Sequence, residues 1–155
     1  MSALELKIPP PLVAAAVAGC MYAAAVLLPA PVLALPPGVR VGMALALAAV
    51  GAGFDVAGLW AFRKARTTVN PLTPHRSVAV VSTGVYRFTR NPMYLGLALI
   101  LLGLAVYLAS PWALLGPLVF AAYITRFQIV PEERALQARF GAAYTAYRAR
   151  VRRWL

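Results

Sequence analysis

A chain of 155 residues that is 62% hydrophobic and 12% charged cannot cover a globular surface with polar groups, since soluble domains carry about 25% charged residues. Its formal net charge of +11 comes from fifteen Lys and Arg against four acids, and the cations flank long uncharged runs, which fits anionic lipid headgroups as partners and not nucleic acid. Cys20 is the single cysteine and His75 the single histidine, so neither a disulfide framework nor a His/Cys metal site is expected.

The chain reads as one domain over residues 1–155, all-α and integral to a membrane, with about four transmembrane helices and a C-terminal amphipathic helix. Lys7 before an apolar run imitates a signal peptide, but Glu5 shares the flank and Pro9, Pro10 and Pro11 open the run. A retained first span over residues 11–28 is therefore expected. It is rich in Ala, and Gly19 suits close helix packing. Pro29, Pro31, Pro36 and Pro37 then make a short loop. The second span covers 39–62, where Gly42, Gly51, Gly53 and Gly58 favour close approach of another helix. Asp55 lies inside it. An intramembrane carboxylate faces the bundle interior, either in a functional role or paired with a hydroxyl, an indole or an Arg.

Residues 63–91 form a polar segment beginning Arg63-Lys64-Ala65-Arg66. Asn70-Pro71 and Thr73-Pro74 argue against one continuous helix there. Loop or re-entrant structure is expected, with a short extended stretch at 78–81. Thr67, Thr68, Val69, Asn70 and Pro71 are read as part of a pocket rim, and His75 as a solvated loop residue. The third span covers 92–109, with Pro92 in its first turn. Ser110-Pro111 makes a tight turn, and the fourth span follows over 112–130 with Pro117 inside it. Residues 131–151 read as one amphipathic helix, with Leu136, Phe140, Tyr144, Tyr147 and Val151 on a single stripe.

Counting cations gives a topology. Lys7, six residues in 63–91 and seven from Arg126 onwards share one side, leaving Arg40 on the other. Four crossings with both termini in the cytoplasm satisfy this division. The segments 63–91 and 126–155 must then meet.

Two strings carry candidate chemistry. Gly84-Val85-Tyr86-Arg87-Phe88-Thr89-Arg90-Asn91-Pro92-Met93-Tyr94 runs directly into the third span. Its Arg and Tyr residues also suit an interfacial anchor, but an ordered string with a proline-defined helix start looks like a built site. The second string is Pro131-Glu132-Glu133-Arg134-Ala135-Leu136-Gln137-Ala138-Arg139-Phe140-Gly141, continuing to Tyr144, Tyr147 and Arg148. Glu132 and Glu133 suit the positive end of a helix dipole, and they also suit binding a cation or orienting an acceptor. Arg139, nearly two turns after Glu133, frames the same pocket from its other end.

These strings resemble the isoprenylcysteine carboxyl methyltransferase family, which is related to the membrane phospholipid methyltransferases. That family carries Gly-x-Tyr-Arg-x-x-Arg-His-Pro-x-Tyr before a helical hairpin. Glu-Glu-x-x-Leu, Phe-Gly-x-x-Tyr-x-x-Tyr and a basic end follow. The resemblance covers about residues 63–155, and Asn91 stands where the family has histidine. It implies S-adenosylmethionine as methyl donor, held by the C-terminal half. Tyr86, Arg90, Asn91, Pro92, Tyr94, Glu132 and Tyr144 would bind it, and Glu133 and Arg139 would face the acceptor. Asn keeps one hydrogen bond but takes no proton.

The expected function is methyl transfer from S-adenosylmethionine to a lipophilic acceptor that enters from the bilayer. A carboxylate acceptor would need Arg to orient it, whereas an amine or thiol would need Glu133 as proton acceptor. The rivals are an NADPH-dependent membrane reductase and a non-enzymatic lipid-binding membrane subunit. A bacterial inner membrane is the expected location. Arg63, Lys64, Arg152 and Arg153 are read as plain interfacial anchors.

Overall fold

The computed structural model describes residues 5–28, 35–66 and 79–155. The rim at Thr67 to Pro71, His75, Pro29, Pro31 and the start of the 78–81 stretch lie outside the described residues. Among the described residues the chain is helical and contains no strand. Its helices are α1 (Pro10–Leu27), α2 (Pro37–Lys64), α3 (Pro92–Leu108), α4 (Leu115–Ile124), α5 (Val130–Phe140) and α6 (Ala142–Arg150). A 3-10 turn, Gly84–Arg87, precedes α3, and a π turn, Thr125–Ile129, joins α4 to α5.

α1 and α2 are long and apolar enough to cross a membrane. The most apolar window of α2 is only 11% buried, which separates it from the core helix of a soluble protein. Leu45, Val56 and Trp60 on α2 and Leu118 and Val119 on α4 are exposed. Water would penalise such a surface, whereas lipid accepts it. α3 has 17 residues and α4 has 10.

Small residues set the packing. α2 and α3 run antiparallel, with Gly58 against Met93, Gly51 against Gly96 and Ile100, and Gly103 against Ala44. A Cβ on Gly51 would lie 2.5 Å from the Gly96 carbonyl oxygen, so the backbones touch only because both residues lack one. Gly42, Gly53 and Gly19 meet nothing within 4 Å among the described residues and play no part in this contact. α1 runs antiparallel to α4 with Met21 seated on Gly116. Met21, Leu101, Ala105, Phe120 and Ile124 form the core shared by α1, α3 and α4.

Two helix boundaries differ from the sequence reading, each for a local reason. The fourth helix begins only at Leu115, because residues 110–116 close a run of i→i+3 hydrogen bonds after Ala109 takes the left-handed φ of 51°. Pro117 then falls in the first turn, where its missing N–H costs nothing. The amphipathic segment is two helices and not one, because Gly141 adopts φ 50°, ψ −121°, a conformation that L side chains rarely take. The stripe survives the break: Tyr144, Tyr147 and Val151 are buried together, with Leu136, Phe140 and Val80 packed against them.

Candidate functional site: a carboxylate pair between two basic segments

The two polar segments meet at one end of the helical bundle. Tyr147 donates a 2.8 Å hydrogen bond to the Tyr86 carbonyl, joining α6 to the 3-10 turn. The turn rests on α2 through an edge-to-face contact of Tyr86 with Phe62, centroids 5.4 Å apart. The C-terminal tail after α6 is tied to the start of α3. Arg90 N–H donates to the Arg152 carbonyl at 3.0 Å, and the Asn91 amide donates to the Arg153 carbonyl at 2.9 Å. Thr89, fully buried, donates to the same carbonyl and accepts the Asn91 N–H.

These ties bring Arg153 to Glu133. Its Nε and Nη2 donate to the two carboxylate oxygens at 3.0 and 2.8 Å. Arg90 Nη2 lies 3.1 Å from Oε1 of the same group. The Arg90 side chain is 10% exposed and that of Glu133 9%. One carboxylate between two guanidiniums leaves a net positive charge, and Arg90 Nε and Nη1 are buried with no partner among the described residues. Unpaired charged donors in a dry site are costly unless a ligand meets them.

Glu132 stands beside this group in a different environment. Its Oε1 accepts hydrogen bonds from Tyr94 Oη at 2.6 Å and Gln128 Nε2 at 2.8 Å. Burial raises its carboxyl from 4.5 to about 7, against the lowering effect of those two donors, and Glu133 raises it further. Adjacent carboxylates thus have separate settings. Glu133 is an ion-pair centre, and Glu132 is a carboxyl that burial raises into the range where it can hold or release a proton near neutral pH.

The sequence candidates divide accordingly. Arg90, Asn91, Tyr94, Glu132 and Glu133 come together. Tyr144 is buried on the stripe, with its phenol pushed up to about 12 by burial and by Glu133, while Arg90 lowers it. Pro92 is buried at the first turn of α3, beside Gly58. Tyr86 packs with Ala61 and Val81 and contributes its carbonyl. Arg139 is exposed, its guanidinium over the Phe140 ring at 5.8 Å, and the ion network does not include it. Arg153, read as an anchor, is a member of the network. Gln128 and Thr89 were also missed. A lone Gln in an apolar run four residues before Glu132 was the available signal.

Asp55 lies at the α2–α3 contact against Gly96, and its buried Oδ1 has no hydrogen-bond partner among the described residues. Of the two readings of Asp55, the one that pairs it with a hydroxyl, indole or Arg finds no such group at that oxygen among them.

Comparison with known proteins places the chain in a family. A family model for phospholipid methyltransferase matches residues 39–143. An uncharacterized protein of Haemophilus influenzae is 46% identical over 63 residues, which is 41% of this chain and all of that protein. No solved structure matches. The matched region runs from α2 into the start of α6 and contains Arg90, Asn91, Tyr94, Glu132 and Glu133, so the chain belongs to the phospholipid methyltransferase family, a family of membrane methyltransferases.

Proposed function

We propose that this protein transfers a methyl group from S-adenosylmethionine to a lipophilic acceptor at the basic face of the membrane. The observation that carries the reading is the pair of Arg90 nitrogens beside Glu133 that have no partner among the described residues. A buried guanidinium with donors to spare fits the carboxylate of an amino-acid moiety. The neighbouring Tyr144 and Tyr94 rings and the two carboxylates suit a cationic centre.

When bound, S-adenosylmethionine supplies a methyl on a sulfonium, whose in-line displacement depends on positioning in a dry site. The chain's own residues provide that setting. Glu133 and Arg153 hold Arg90 in place. Asn91 fixes the C-terminal tail that carries Arg153, a task that needs a hydrogen-bond donor and no proton exchange. Glu132, raised to about 7, is the carboxylate suited to take a proton from an amine or thiol acceptor. Glu133, engaged by two guanidiniums, acts as an orienting group, and Arg139 stays at the surface.

Four crossings fit this reading, with α3 and α4 joining α1 and α2. The N-terminal end of α1, the start of α3 and the C-terminal tail then share the cytoplasmic side. The acceptor reaches the site between helices, and anionic headgroups surround the exposed cations. The test is a methyl-transfer assay with labelled S-adenosylmethionine, purified protein in lipid nanodiscs and bacterial membrane lipid extracts. Label in the lipid fraction supports the proposal. Absence of label across extracts from several membrane types contradicts it.

A further inference from the structure

The hinge that carries Glu132 and Glu133 is held by a segment outside the family match. Pro131 has no N–H and cannot satisfy the carbonyl four residues before it, that of Phe127. The chain opens into the π turn at this point, as helices do around such a defect. Leu6 N–H donates to the Phe127 carbonyl at 3.1 Å. To do so Leu6 adopts φ 57°, a left-handed conformation that is costly for a bulky residue.

Glu5 clamps the same hinge from both ends. Arg126, in the π turn, donates to its Oε1 at 3.0 Å, and Arg134, next to Glu133, donates to its Oε2 at 2.6 Å. The Glu5 side chain is only 4% exposed, although the two cations are more than half exposed. The family match covers residues 39–143, so Arg126 and Arg134 lie inside it and Glu5 and Leu6 outside it.

We propose that Glu5 is a positioning residue for the reaction centre. Acting through Arg126, Arg134 and the Leu6 backbone, it fixes the angle between α4 and α5 and thereby the place of Glu132 and Glu133. The proposal rests on the reading that these carboxylates belong to the donor site. Small misplacements of reacting groups are expensive, on the order of 100-fold in rate for about 1 Å.

The test uses the full chain in nanodiscs, with Glu5→Ala, the isosteric Glu5→Gln and the conservative Glu5→Asp. Amide hydrogen exchange over residues 125–135 is compared with exchange in α2 and α3, and S-adenosylhomocysteine binding is titrated. In Glu5→Ala and Glu5→Gln, exchange over 125–135 should rise about 10-fold with α2 and α3 unchanged. Ligand binding should weaken about 10-fold, as a defect of roughly 1.4 kcal/mol, with Glu5→Asp recovering part of both. Unchanged local exchange overturns the proposal, as does a rise spread evenly over all helices. A local rise with unaltered ligand binding overturns it too, because the hinge would then move without moving the site. If the unaltered protein binds no S-adenosylhomocysteine, the functional reading fails separately, and the exchange result alone decides whether Glu5 holds the hinge.

Discussion

Glu133 receives both Nε and Nη2 of Arg153, at 3.0 and 2.8 Å, across twenty positions of sequence. The pairing turns a residue of the basic C-terminal run into part of the site. It also sets the direction of Arg90, which shares the same carboxylate. Arg153→Ala should therefore weaken S-adenosylhomocysteine binding by about 10- to 100-fold, the worth of hydrogen bonds to a charged group. Arg153→Lys keeps the charge but loses the two-pronged geometry and should fall between the two. Calorimetric titration of the three proteins checks the order.

The Asn91 side chain donates a hydrogen bond to the Arg153 carbonyl. A neutral imidazole can donate the same bond. Asn91→His should therefore retain binding near the unaltered level, whereas Asn91→Ala should weaken it and loosen the tail, which keeps its ties to Thr89 and Arg90. Protease sensitivity of the C-terminal tail provides the matching structural readout.

Glu132 makes stability depend on pH in a known direction. Burial raises its carboxyl from 4.5 to about 7. Between those values the folded chain holds a proton that the unfolded chain has released. The Glu132 contribution is fully present below about 4.5 and is lost as pH rises to about 7, amounting to on the order of 1–3 kcal/mol. Thermal unfolding across pH 4–8 should show this loss in the unaltered protein and a flatter profile in Glu132→Gln.

Much of this arrangement was legible in the sequence, and the rest was hidden for identifiable reasons. The apolar runs of α1, α2 and α3 and the two strings could be read because hydrophobicity and ordered motifs are local properties. That segments 63–91 and 126–155 meet followed from charge alone, and Arg90, Asn91, Tyr94, Glu132 and Glu133 do converge. Arg153 was not recognisable, since a Arg in a basic tail looks the same whether it touches lipid or Glu133. The break at Gly141 was hidden inside an uninterrupted stripe. The π turn requires knowing that Leu6 supplies the donor that Pro131 withholds. Arg139 failed as a pocket residue because its spacing from Glu133 on one helix says nothing about which way the pocket opens.

Gly141 tests the fold at a left-handed backbone position and Gly96 at the close α2–α3 contact. Among the described residues nothing stands within 4 Å of a Cβ on Gly141, so Gly141→Ala should cost backbone strain, about 1–3 kcal/mol. Gly96→Ala meets the Gly51 carbonyl at 2.5 Å and Asp55 as well, and should separate α2 from α3 at a similar or larger cost. Unfolding in detergent, followed by the midpoint of each variant, measures both.

The central claim is that the group around Arg90 and Glu133 holds a nucleoside-sulfonium methyl donor. Equilibrium titration of the purified protein and of Arg90→Ala with S-adenosylhomocysteine, and separately with NADPH, tests it most directly. The account predicts saturable S-adenosylhomocysteine binding that Arg90→Ala abolishes, with no NADPH binding. Tight NADPH binding without S-adenosylhomocysteine binding, or S-adenosylhomocysteine binding indifferent to Arg90→Ala, would contradict it.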